Sequence, residues 1–132
     1  MLTEIRSLGE ECGIFGIWGH AEAAQVTYYG LHSLQHRGQE GDGIVVKAGD
    51  KLIQQRGLGL VSEAFTKDMM KSLQKGTAAI GHVHYSAAGK REEGTVLANV
   101  QPFLFHFTDA SLALCHNGNL VNDKTLRREL EA

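Results

Sequence analysis

Apolar positions along the chain fall into short runs whose period changes from stretch to stretch. Residues 12–18, CGIFGIW, are apolar or glycine throughout and predict a strand buried on both faces. From His20 to His36 the period turns helical. Ala24, Tyr28, Leu31 and Gln35 share a face, Val26 and Leu34 lie beside it, and Gly38 follows as the stop. Gly43–Lys47 and Lys51–Arg56 read as two strands of a hairpin across Ala48-Gly49-Asp50. Ser62 is placed to cap a helix running to about Leu73, with Phe65, Met69 and Leu73 as one stripe. Thr77–Tyr85, Pro102–Phe107 and Ser111–His116 predict further strands. Asn122 is placed to cap a last helix, Asp123 to Ala132, with acidic Asp123 in its first turn. Strands and helices do not alternate strictly, and a hairpin is among them. That order fits an α+β layered domain with a mostly antiparallel sheet.

Composition narrows the classes. A chain of 132 residues with 42% apolar content is enough for one domain with a real core. A net charge of −2 gives no electrostatic footprint for nucleic acid or an anionic membrane. No apolar run approaches the ~20 residues that span a bilayer. Met1–Gly9 lacks the apolar segment of a secretory signal, so a cytoplasmic location is expected. Two cysteines, Cys12 and Cys115, are too few for a disulfide framework. Gly57-Leu58-Gly59 lacks the Gly-Lys-Ser/Thr of a phosphate-binding loop.

Candidate chemistry gathers in a few stretches. Cys115, inside SLALC, reads as a small buried thiol. Cys12 is different, because it follows Glu10-Glu11 and opens a glycine-spaced run. A thiol with pKa ~8.5 needs a base. Histidines are available, but a cut between Glu11 and Cys12 would also free an α-amine of pKa ~7.7–8.0 on the same residue. Residues 1–11 would then act as an off switch. In LQHRGQEGDG, residues 34–43, the bland reading is a loop after a helix; the functional one is that Arg37 braces a chain end or a carboxylate. In GHVHYSAAG, His82 and His84 share one strand face, and with His116 or Cys115 could hold zinc; satisfied histidines are the commoner outcome. In CHNGNL, Asn117-Gly118 is a tight-turn signal, yet an Asn amide and a Gly N–H can also converge on an oxyanion.

These pieces also occur together. CGIFGIWGH, YYGLHSLQHRGQEG, IGHVHYSAAG, NVQPFLF and CHNGNL closely resemble the N-terminal glutaminase part of the amidophosphoribosyltransferase family, from about Leu8 to Leu130. Other N-terminal-nucleophile amidotransferases, such as sugar-phosphate ones, share the CGI start and remain an alternative. The resemblance implies the αββα sandwich of N-terminal-nucleophile hydrolases, here incomplete. It implies a propeptide-like leader at 1–11 and a partial glutaminase domain over 12–132. By resemblance Cys12 is the nucleophile, Asn117 and Gly118 hold the oxyanion, and Arg37 and Gly38 brace the nucleophile's end. Glutamine is the implied substrate. The ammonia goes to phosphoribosyl pyrophosphate in a further domain, giving phosphoribosylamine in the first step of purine synthesis. Magnesium, and in some members an iron–sulfur cluster, belong to that further part, and the whole enzyme is expected to be a homo-oligomer. No cofactor is expected within these 132 residues.

The departures carry information too. The family reads GHVRY, where the arginine grips the glutamine α-carboxylate; here His84 stands in that substrate-binding place. A threonine of the family is Ala87, and the small residue of QEGAG is Asp42, expected as a charge close to Cys12. The last helix stops at RRELEA without a Gly or Pro exit signal, as a piece of a longer protein would. The chain by itself is expected to be inactive. A degenerate glutaminase-like binding module without chemistry is the main alternative.

Overall fold

Alternation along four strands decides what the molecule buries and what it leaves open. The structure, a computed structural model, describes residues 12–35, 41–85, 93–118 and 121–132. The strands β1 (Cys12–Trp18), β2 (Gly41–Ala48), β3 (Lys51–Leu58) and β4 (Ala78–His84) form an antiparallel sheet in the order β1-β4-β2-β3. On one face, Phe15 and Ile17 of β1, Ile44 and Val46 of β2, Ile53 of β3 and Ala79 and Val83 of β4 join a single apolar core. That core is closed by helix α1 (Ala23–Leu34), the single turn α2 (Val61–Ala64) and α3 (Lys67–Leu73), through Ala24, Leu31, Val61, Phe65 and Leu73. Gly81 lets α1 lie close on the sheet: a Cβ there would stand 2.7 Å from Thr27 Cγ2 and 2.9 Å from Leu31 Cδ1. Among the described residues, no helix is long and apolar enough to cross a membrane.

The opposite face is covered only in part. A short helix α4 (Glu93–Ala98) leads to a hairpin of β5 (Phe103–His106) and β6 (Ser111–Leu114), and α5 (Asp123–Glu131) ends the chain. The link before β5 is fastened to the sheet. Gln54 Nε2 donates to the Pro102 carbonyl at 2.7 Å, and Arg56 to the Leu97 carbonyl at 3.0 Å. Beneath it, Gly43 has no side chain, and a Cβ there would overlap the Gln101 carbonyl.

Several expectations from the sequence are corrected. β1 has the expected bounds but is not buried on both faces: Ile14 is 42% exposed and Trp18 80%. The run is apolar, but the described residues cover the side with Ile14 and Trp18 only in part. The first helix begins at Ala23 and ends at Leu34, where Gln35 turns extended, so Gly38 is not its stop. Gln35 instead accepts from the Val61 N–H at 3.0 Å, tying α1 to α2. The helix expected from Ser62 to Leu73 is two pieces. Thr66 Oγ1 accepts from Met69 N at 3.2 Å and starts a new helix, since threonine competes for its own backbone. Phe65 still reaches the core from the break. Asn122 occupies the cap position of α5 without a side-chain cap hydrogen bond. α4 was not expected: EGTVLA is short, and glycine and threonine weaken any helical period. The β2–β3 hairpin is as expected but longer. It turns at Gly49-Asp50, where Gly49 takes φ 64° and Asp50 does not need a positive φ, the pattern of a type II′ turn.

Gly57 gives a stability prediction. A Cβ at Gly57 would overlap the Ala64 backbone carbonyl, which cannot swing aside as a side chain could. Gly57→Ala is expected to lower stability by about 2–3 kcal/mol in urea unfolding. At Gly16 the nearest atoms to such a Cβ are 3.9 Å away, so Gly16→Ala should change stability by less than about 0.5 kcal/mol.

Candidate active site

Antiparallel pairing brings together residues that lie far apart in sequence. Cys12, the first residue of β1, is paired with His84, the last of β4, and the third member of that row is Gly41 of β2. Side chains on one rung point to the same face. The Cys12 Sγ therefore lies 3.4 Å from His84 Nδ1. Ile14 and His82 form the next pair on this face, with Gly43 beyond. The His82 and His84 rings lie 6.1 Å apart and nearly parallel, at 23°.

The segment after β6 returns over this end of the sheet. Three hydrogen bonds hold it. The His116 N–H donates to Gln101 Oε1 at 2.7 Å, His82 Nε2 donates to the His116 carbonyl at 3.1 Å, and Asn117 Nδ2 donates to the Cys12 carbonyl at 3.2 Å. A carbonyl only accepts, so Nε2 of His82 carries the proton. Burial is the main reason that His82 is pushed down from 6.5 to about 4; the bond to the His116 carbonyl works the other way, and the charges of His84 and His116 add to the lowering. His82 is thus a fully buried neutral imidazole that anchors the loop carrying Asn117 and Gly118.

The structure accordingly brings Cys12, His84 and Asn117 to one end of one sheet face, with Gly118 exposed just past Asn117. Arg37, Gly38 and Ala87 lie outside the described residues. The zinc arrangement of His82, His84 and His116 is not assembled. His82 spends Nε2 on a carbonyl, and among the described residues no group of three His, Cys, Asp or Glu stands where it could hold a metal ion. Cys115 is a half-buried thiol whose pKa burial pushes up, which keeps it protonated.

Asp42 corrects another expectation. It pairs with Val83, one residue out of step with the Cys12–His84–Gly41 row, and so faces the helix side of the sheet. It is fully buried there, on the side opposite Cys12. Burial foremost, then the negative charge of Glu63, raises its carboxyl from 3.8 to about 8. At neutral pH it is mostly a neutral acid inside the fold and does not repel a substrate carboxylate.

Two contacts were beyond sequence reasoning. The Cys12–His84 approach depends on strand register, which no local pattern gives. Gln101 shows no signal of its own except its place before Pro102. A cavity of about 470 Å³ lies farther along the same face, lined by Trp18, Val45, Leu52, Ile80 and Ala113. It is apolar and stands away from Cys12, at the Trp18 end of the sheet.

Fold and site together define an α+β protein that presents a thiol, an imidazole and a carboxamide at the end of an antiparallel sheet. No protein-family model matches the chain. Individual proteins do. Amidophosphoribosyltransferase of Staphylococcus aureus (strain Mu50 / ATCC 700699) is 57% identical over 124 residues, covering 94% of this chain and 24% of that protein. The Bacillus subtilis (strain 168) enzyme of the same name is 57% identical over 132 residues, 99% of this chain and 27% of that one. Among solved structures, the B. subtilis glutamine phosphoribosylpyrophosphate amidotransferase complexed with ADP and GMP superposes with a TM-score of 0.75 at 54% identity. A structure described as the allosteric regulatory enzyme of purine biosynthesis superposes with 0.78 at 55%. Each covers 89% of this chain, which matches 24% of either one. Over nearly its whole length the chain is similar to amidophosphoribosyltransferase, and it spans about a quarter of the length of these relatives.

Proposed function

We propose that this chain is the nucleophile-bearing part of a glutaminase unit that releases ammonia from glutamine for transfer to phosphoribosyl pyrophosphate, giving phosphoribosylamine. Its half-covered sheet would be one layer of an N-terminal-nucleophile αββα sandwich. Once the bond between Glu11 and Cys12 is cut, the Cys12 α-amine takes the thiol proton and Sγ attacks the glutamine side-chain carbonyl carbon. The tetrahedral oxyanion is held by Asn117 Nδ2 and the Gly118 N–H. The amine returns the proton to the departing nitrogen, which leaves as ammonia, and water then releases glutamate from the thioester. Arg37 and Gly38 brace the nucleophile's end.

The observation that carries this reading is the Asn117 carboxamide 3.2 Å from the Cys12 carbonyl, across 105 residues of sequence. The donor needs only a change of partner to serve an oxyanion formed on the carbon that the neighbouring sulfur attacks. In this reading magnesium and an iron–sulfur cluster are not held by these 132 residues. The described residues offer no three-ligand group, and two cysteines in the whole chain cannot supply a four-thiolate cluster. Both would belong with the transferase part of the relatives' length.

An electrophilic glutamine analogue tests the reading. The chain is joined, in place of the matching segment, to the remainder of the B. subtilis relative. Expected is one adduct per chain on the Cys12 peptide, none on Cys115, and protection by glutamine. Labelling spread over both cysteines, or indifferent to glutamine, would sink it.

A further inference from the structure

We propose that His84 is the base for the Cys12 thiol, so that this sulfur is activated while the peptide bond between Glu11 and Cys12 is intact. The proposal deepens the reading above by giving His84 a role other than gripping the substrate carboxylate. Its test involves no glutamine, so the two can fail separately.

The geometry comes from the register. Cys12 and His84 form one rung, so both side chains leave the sheet on the same side, and Nδ1 sits 3.4 Å from Sγ. On the other side of His84 in the row, Gly41 has no side chain to compete with Cys12 for the ring. Both residues are half-buried, so water only partly weakens the interaction of a thiolate with an imidazolium. Among the described residues, the titratable and charged groups on this side are His82, on the same strand, His116, from the loop after β6, and Arg56 of β3, which stands in the His82 row two strands away and donates to the Leu97 carbonyl. His82 is kept neutral by its burial, so a proton taken up by His84 does not meet a second fixed cation on its own strand. From β2, Asp42 faces the other side of the sheet, as does the α2 turn with Glu63.

An arginine at this position holds its proton at any working pH and cannot act as a base. An imidazole with an ordinary pKa of ~6.5 can. In the resting pair Nδ1 is unprotonated and Nε2 carries the hydrogen. The proton of Sγ passes to Nδ1, leaving a thiolate beside an imidazolium. Against a primary amide, the Sγ–C bond forms, the C–N bond breaks, and the imidazolium proton leaves on the departing nitrogen as ammonia. Water then cleaves the thioester and restores the thiol. Released α-amine and imidazole would be two bases on one sulfur, and only the second is present before the leader is cut.

The experiment is alkylation by iodoacetamide from pH 5 to 10 on the full 132-residue chain, with Met1 verified by intact mass. The rate is read separately on the Cys12 and Cys115 peptides. The expected Cys12 profile inflects at least one unit below the ~8.5 of an ordinary thiol. At pH 6.5, His84→Asn and His84→Gln should be about fivefold slower, because the gain in thiolate outweighs its lower intrinsic nucleophilicity. A merely structural His84 would alter the rate at high pH and leave the inflection in place. A wild-type profile rising only near ~8.5, or variant profiles that inflect where the wild type does, overturns the proposal. The wild-type profile decides by itself if neither variant folds.

Discussion

Raising the pH from 6.5 to 8 is expected to cost the fold about 2 kcal/mol through Asp42 alone. The sign follows from proton counts. Asp42 is buried with its carboxyl raised to about 8, so between about 4 and 8 the folded chain holds a proton there that the unfolded chain has lost. Its stabilising protonation is complete below the unfolded value and is lost as pH rises through the folded one. His82 runs the other way. Burial lowers it to about 4, so between about 4 and 6.5 the unfolded chain binds the extra proton, and stability grows with pH. Over that lower window the two slopes, each about 1.4 kcal/mol per pH unit, cancel. Above 6.5 only Asp42 still acts. The chain should therefore show a plateau from about pH 4 to 6.5 and a decline to about 8. Asp42→Asn keeps the shape of a neutral carboxyl and removes its titration. Its stability should rise to about pH 6.5 and then level. Equilibrium urea unfolding of both proteins at half-unit pH steps gives the comparison, in which every other titrating group cancels. A constant difference between the two curves would mean that Asp42 is ionised in the fold at neutral pH.

Much of this arrangement could be read from the chain, and the parts that could not share a cause. β1 and the β2–β3 hairpin announce themselves by local signals: an apolar run, a pair of alternating stretches, a glycine at the turn. The pairing of β1 with β4 and of β4 with β2 has no local signal, because register is fixed by packing between segments distant in sequence. That is why Asp42 was placed near Cys12 when it lies one residue out of step and therefore on the other face. It is also why the sequence offers His84 as a missing arginine or a metal ligand but does not single it out as the partner of the Cys12 sulfur, although the same rung puts its ring against it. The break at Phe65-Thr66 was hidden for a different reason. Phe65, Met69 and Leu73 keep helical spacing in the sequence even though the backbone at Phe65 and Thr66 is extended. For the site, Cys12 and Asn117 were legible as residue types in their motifs. That they meet is implied by the resemblance and by no local pattern, since their contact is made by a loop held through Gln101 and His82.

Replacing Cys12 by alanine is expected to abolish glutamine hydrolysis, by more than about 10³-fold, in the chain joined to the remainder of its B. subtilis relative. The loss is total in kind, since no other described residue of the site offers a sulfur or hydroxyl in that position. Asn117→Ala should lower kcat by about 10²–10³ and leave KM for glutamine nearly unchanged. The asymmetry follows from what each group touches. In the proposed reaction Sγ makes the bond to the substrate carbon, whereas the carboxamide gains its strongest partner only when the carbonyl oxygen becomes an anion. A donor used mainly in the transition state appears in kcat. The present bond from Asn117 to the Cys12 carbonyl also sets a limit, because losing it loosens the loop over the sheet and adds a stability cost of about 1 kcal/mol. Urea unfolding of Asn117→Ala separates that cost from the kinetic one. A binding module without chemistry would give another pattern: no glutamate released by the parent chain, and both variants binding glutamine as it does. Release of glutamate that survives Cys12→Ala would move the nucleophile elsewhere and end the case for this sulfur.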